Sequence, residues 1–184
     1  MKNRIAEKFK TLFKAEGEFF ASAGRINLIG EHTDYNGGFV FPGAIDKCMM
    51  AEIKLNGGSK VRAFALDIDE YCEFGLNEED APAQSWARYI FGVCREIQKR
   101  GGKIGGFDTV FSGDVPLGAG MSSSAALEST FAFALNELFG LGNLFCLFLF
   151  FCFFCGFLCG CLFFCGFLLR FFFCQGCLHG RFFY

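Results

Sequence analysis

The sequence predicts an α+β (mixed α/β) domain over residues 1–142, followed by a Phe/Cys/Leu-rich low-complexity tail over residues 143–184. Three observations predict it. Apolar residues recur at helical spacing in three separate stretches, and short strand-like runs lie between them without a strict βαβ alternation. A Gly-rich run feeds directly into the last helical stretch. The composition then breaks near Asn143: all 19 acidic residues and 15 of the 17 Lys and Arg precede it, whereas the last 41 residues hold 15 Phe, 8 Cys and 8 Leu and no acid.

Ile5, Phe9, Leu12 and Phe13 place a first amphipathic helix from Asn3 to about Ala15, ending before Gly17. The segment EFFASAGRINLIG reads as a short strand, a Gly-containing turn and a second apolar run. Asn36-Gly37-Gly38 marks a turn before another short strand. Cys48 to Leu55, Val61 to Ala65 and Tyr71 to Phe74 read as strands of an antiparallel sheet. Trp86, Tyr89, Ile90, Val93 and Ile97 mark a helix from Ser85 to Arg100 that stops before Gly101-Gly102. Phe107 to Phe111 is a strand, and a long helix runs from about Ser122 to Phe139.

Residues 1–143 carry a net charge of −4, from 15 basic and 19 acidic residues, which argues against a charge-steered nucleic-acid binder. Their three cysteines, Cys48, Cys72 and Cys94, are odd in number and scattered, so reduced thiols and a cytoplasmic location are expected. The N-terminus lacks the uninterrupted apolar core of a signal peptide.

The run Pro116-Leu117-Gly118-Ala119-Gly120-Met121-Ser122-Ser123-Ser124-Ala125-Ala126 suits a polyphosphate. Gly118 and Gly120 let backbone N–H groups approach an anion without Cβ obstruction, and the following helix offers its unpaired N-terminal N–H groups. Three hydroxyls in succession can bond phosphate or reach a bound Mg²⁺. No Lys follows the second Gly, so this is not a Walker A loop, and Ser123 breaks the dinucleotide G-x-G-x-x-G spacing. The bland alternative is a Gly-rich helix cap, but the eleven-residue run is more specific than that.

A second cluster, Gly24-Arg25-Ile26-Asn27-Leu28-Ile29-Gly30-Glu31-His32-Thr33-Asp34-Tyr35-Asn36-Gly37-Gly38, packs an Arg, a Glu, a His and an Asp into ten positions between strand-like runs. A polyhydroxylated ligand needs donors and acceptors of fixed direction at that density. Arg25 could instead serve a transferring phosphoryl group. The alternative is a polar turn with a surface ion pair. Glu31-His32 lacks the second His that a helical H-E-x-x-H metal site requires.

Together the two motifs resemble those of the galactokinase family, within the wider GHMP family of small-molecule kinases. GRINLIGEHTDYNGG resembles the galactokinase signature, and PLGAGMSSSAALE resembles the family-wide ATP-binding motif. The resemblance covers residues 1 to about 142, less than half of a typical member, and implies the N-terminal domain of that superfamily, of the ribosomal protein S5 domain 2-like fold. It implies galactose, ATP and Mg²⁺ as ligands, with no nucleic acid or membrane partner. Matched by position, Glu31, His32, Thr33 and Asp34 would meet the sugar and Arg25 would stabilise charge during transfer. Gly118, Ala119, Gly120, Met121, Ser122, Ser123 and Ser124 would cradle the ATP phosphates, with Ser124 also a Mg²⁺ ligand. The implied reaction moves the γ-phosphoryl group of ATP to the anomeric hydroxyl of galactose, giving galactose 1-phosphate and ADP.

The family places a metal-binding Glu and a base Asp after the long helix, whereas here no acid follows Glu137. Little or no kinase activity is therefore expected of the chain as written. Two further readings follow: a sugar- and nucleotide-binding sensor without catalysis, and a membrane-anchored fragment. Leu144 to Leu169 is an unbroken apolar stretch of 26 residues, long enough for a span. Cys152, Cys155, Cys174 and Cys177 meet a zinc-ribbon spacing, although such pairs arise by chance among 8 Cys in 41 residues. Of those 41 residues, 38 are Phe, Leu, Cys, Gly or Arg, whose codons all carry T or G at the second position. That bias favours a frameshift or other sequence artefact beginning near Asn143.

Overall fold

A computed structural model describes residues 1–29, 41–115 and 123–142. The element order is α1 (Lys2–Phe13), β1 (Glu18–Ile29), β2 (Phe41–Leu55), β3 (Lys60–Ala65), β4 (Glu70–Gly75), α2 (Ser85–Lys99), β5 (Phe107–Gly113) and α3 (Ser123–Phe139). The five strands form one sheet in the order β1-β2-β5-β3-β4. Every pairing is antiparallel except that of β3 with β5, which is parallel. A parallel pair cannot be closed by a hairpin, so β4 and α2 together supply the crossover between them.

Period-two alternation along the strands sends side chains to two different layers. Met49, Ala51 and Ile53 of β2, Val61, Ala63 and Ala65 of β3, and Phe107 and Phe111 of β5 join the apolar sides of α2 and α3 in the main core. The intervening residues Phe64 and Val110 face the other way, under Ile5 and Phe9 of α1. Central β5 is therefore buried on both faces, with Phe107, Thr109 and Val110 fully inaccessible. Helix α1 ends at Lys14, which turns left-handed at φ 52° while its N–H donates to Lys10 O at 3.1 Å.

Two expected breaks are absent. β1 runs unbroken through Gly24, with register shifts flanking Arg25 in place of a turn. The turn expected at Asn36-Gly37-Gly38 lies outside the described residues, and from Phe41 the chain runs without a break into the strand expected from Cys48, as the 15-residue β2. The other elements match their expected spans to within about two residues at each end, the usual scatter of element boundaries.

Candidate functional site

At Gly24, β1 passes close to the end of β5. A Cβ built on Gly24 would lie 3.0 Å from Ile45 Cδ1 and 3.2 Å from Val115 Cγ1, so the glycine serves close approach and not a turn. Arg25 follows on β1, opposite Ala44 of β2, with its Nε buried. Val115, itself buried, is the last described residue before Pro116 and the Gly/Ser run. The strand bearing Arg25 and the approach to that run are thus adjacent in space.

The middle of β2 holds this junction together. Cys48 pairs with Ala23 on one side, and Met49 pairs with Gly113 on the other. The Cys48 N–H donates to Asp114 Oδ1 at 2.7 Å, the Asp114 N–H donates to Cys48 O at 3.1 Å, and Lys47 Nζ lies 3.8 Å from Asp114 Oδ2. Burial, with the nearby Asp114 charge as a second cause, pushes the Cys48 thiol above its ordinary range. Helix α3 is fixed to the same strand: the buried Thr130 hydroxyl donates to Ala126 O at 2.8 Å and lies 3.2 Å from Met49 O.

Ser123 and Ser124 open α3, as the motif requires, and no acidic residue occupies its first turn. Glu128 stands one helical turn beyond Ser124, where the i, i+4 spacing puts it on the same side. Burial holds its carboxyl above the ordinary range. Glu31, His32, Thr33 and Asp34 lie outside the described residues, as do Gly118, Ala119, Gly120, Met121 and Ser122. Of the residues singled out in the sequence, the structure therefore places Arg25, Ser123 and Ser124. Asp114 and Thr130 are not singled out there, and Gly24 is read there as a turn glycine. Only Asp114 carried a local signal, as an Asp two residues before a Pro-initiated loop.

Among the described residues, no three His, Cys, Asp or Glu side chains converge as a metal cage. The Ser124 hydroxyl is a hard oxygen donor, suited to a Mg²⁺ ion that takes most of its other ligands from nucleotide phosphates and water.

A family model described as the GHMP kinases N terminal domain matches residues 88–144. The fold agrees with the solved mevalonate kinase of Methanococcus jannaschii at a TM-score of 0.59 and 19% identity, covering 70% of this chain and 42% of that one. By this model match, residues 88–144 are a GHMP kinase N-terminal domain, and the chain shares that fold. A second model, the galactokinase galactose-binding signature, matches residues 7–55. Over 131 residues the chain is 43% identical to a galactokinase of Clostridium acetobutylicum, covering 68% of this chain and 34% of the relative. It matches the structure of Lactococcus lactis galactokinase complexed with galactose at a TM-score of 0.69 and 37% identity, over 78% of this chain and 39% of that one. Within the family it is a galactokinase homologue, spanning about a third of the length of that curated relative.

Proposed function

We propose that residues 1–142 are the sugar- and nucleotide-binding domain for transfer of the γ-phosphoryl group of ATP to the anomeric hydroxyl of galactose. The observation that carries this reading is the junction at Gly24 and Val115, where the strand of the galactose-binding signature meets the entry to the phosphate run. A kinase of this class has to bring a sugar hydroxyl in line with a phosphoryl group, and such positioning supplies much of the rate.

In this assignment Glu31, His32, Thr33 and Asp34 orient the sugar hydroxyls by hydrogen bonding. Gly118 to Ser124 direct backbone and hydroxyl donors at the phosphates. Arg25, always charged, offsets negative charge on the phosphoryl group during transfer. Mg²⁺, held by Ser124 and the phosphates, would neutralise charge on the β- and γ-oxygens.

Because no Asp or Glu follows Glu137, no residue matches the family's base. The 184-residue chain is accordingly assigned binding with little turnover, as would also hold for the second reading, a sugar and nucleotide sensor. Cys48, Cys72 and Cys94 are free thiols, as expected in a reducing compartment, and on that ground we assign the domain to the cytoplasm.

Calorimetric titration of the purified chain with galactose, glucose and Mg·ADP tests the reading. Saturable binding of galactose and nucleotide, with glucose weaker, is expected. Binding of neither ligand would overturn the assignment, and substantial galactose-dependent ADP release would overturn the assigned lack of turnover.

A further inference from the structure

We propose that Asp114 is a positioning residue for nucleotide binding, fixing the exit of β5 against β2 and so holding Val115, which precedes the phosphate run in sequence, against Gly24 beside Arg25. This rests on the functional reading above, and adds a residue that neither motif contains.

The ladder between β2 and β5 ends at Met49 opposite Gly113. Beyond it the chain must leave the sheet toward Pro116, which has no N–H to donate and biases Val115 toward extended backbone. The Asp114 carboxylate extends the pairing past this point by accepting the Cys48 N–H at 2.7 Å, while its own N–H donates to Cys48 O at 3.1 Å. A charge-assisted hydrogen bond to backbone is among the stronger ones available to a side chain. Cys48 is also the register partner of Ala23, two residues before Arg25 on β1. One dipeptide of β2 thereby references three elements: β1 through Ala23, the β5 exit through Asp114, and α3 through Thr130 and Met49 O. The Val115 side chain against Gly24 closes the arrangement.

Lys47 also meets this carboxylate, but at 3.8 Å and with both side chains more than two-fifths exposed, so its pairing is the weaker interaction. The amide bond should therefore carry the effect. Asp114→Asn keeps an oxygen that can accept the Cys48 N–H and loses the charge, whereas Asp114→Ala loses both.

The test is calorimetric titration of the full chain with Mg·ADP and, separately, galactose, at a temperature where every variant is folded. Asp114→Ala should weaken Mg·ADP about tenfold while galactose affinity moves less than about threefold. Asp114→Asn should restore Mg·ADP to within about threefold of wild type, and Lys47→Met should change it by less than about twofold. Phe9→Leu, on the buried side of α1 and away from the junction, controls for lost stability and should leave Mg·ADP affinity unchanged. Wild-type affinity in Asp114→Ala, or a loss shared equally by Phe9→Leu, overturns the positioning role. A wild-type chain that binds no nucleotide overturns the functional reading and this role with it.

Discussion

The two faces of the sheet are built from different chemistry. Toward α2 and α3 the core is apolar and aromatic: Phe111 meets Phe131 edge-on at 5.8 Å, and Phe74 meets Phe91 in the same manner at 5.5 Å. Toward α1, Phe64 and Val110 pack under Ile5 and Phe9 of the helix and share the sheet face with the buried polar side chains Glu52, Asp108 and Ser112. Directional bonds there fix the strand pairing that local sequence cannot. Arg62 and Asp108 are register partners across the parallel β3–β5 pair, and they join through two hydrogen bonds, Nε to Oδ1 at 2.6 Å and Nη2 to Oδ2 at 2.5 Å. At the other end Asp67 accepts from the Ser112 hydroxyl at 2.7 Å and the Gly113 N–H at 2.8 Å. Apolar burial gives one face its stability, and polar clamps give the other its strand order.

Truncation in the apolar face should cost most. Phe131 is fully buried and touches both Phe107 and Phe111, so Phe131→Ala should destabilise by about 4 kcal/mol in urea melts. Phe9→Ala, equally buried but in the smaller cluster, should cost about 3 kcal/mol. A larger loss at Phe9 would reverse the proposed division between the faces.

Next comes the clamp. Asp108→Ala removes the partner of Arg62 and of the Asn56 side-chain amide, which donates to Asp108 Oδ1 at 2.8 Å, and should cost about 2 kcal/mol. Asp108→Asn keeps an acceptor and should cost less. Amide exchange should show the loss concentrated in β3 and β5, and protection lost uniformly across the sheet would contradict the clamp.

Glu52 gives a pH signature. It is 2% exposed, its Oε1 accepts the Gly17 N–H at 2.7 Å, and its Oε2 is buried without a hydrogen-bond partner. A Cβ on Gly17 would lie 2.6 Å from Ile53 O, so this linker between α1 and β1 lies directly on β2. Burial holds the Glu52 carboxyl above its ordinary 4.5, with Glu16 adding to the rise and the Gly17 N–H and Lys2 opposing it. The folded chain then binds this proton more tightly than the unfolded chain. Glu52's contribution is fully present below the ordinary carboxylate range and is lost as pH rises through the folded value. Relative to wild type, Glu52→Gln should therefore gain stability as pH rises from about 4.5 to neutrality. A difference that stays constant across that range would contradict the assignment.

The smallest effect belongs to the exposed pair Lys60–Glu73, joined at 2.7 Å on the rim beyond the clamp. Lys60→Ala should leave the melting temperature unchanged within error, because solvent screens such pairs.

Much of this was legible in the sequence wherever period and punctuation agree. Ser85–Lys99 has helical apolar spacing and a Gly-Gly stop, and β4 buries Cys72 and Phe74 on either side of exposed Glu73. Gly24 misled because a glycine needed for close approach looks locally the same as one needed for a turn; only Ile45 and Val115, far apart in sequence, reveal which it is. β2 reads as two strands because Asp46 and Lys47 in its first half are exposed while Met49, Ala51, Glu52 and Ile53 farther along are buried. The parallel β3–β5 pairing rests on Arg62 and Asp108, 46 positions apart, so no local window contains it. For the candidate site, the motifs named Arg25 and Ser124 through residue type, whereas Asp114 acts through a backbone amide and leaves little trace in sequence.

If the galactose signature and the phosphate run serve one site, as proposed, sugar and nucleotide metal lie side by side. Paramagnetic relaxation of ¹³C-labelled galactose by Mn·ADP on the full chain measures that proximity directly. Strong relaxation of the anomeric carbon is then expected, lost in Ser124→Ala at concentrations where galactose remains bound. Galactose that binds alongside Mn·ADP yet relaxes as it does with Mg·ADP would contradict it.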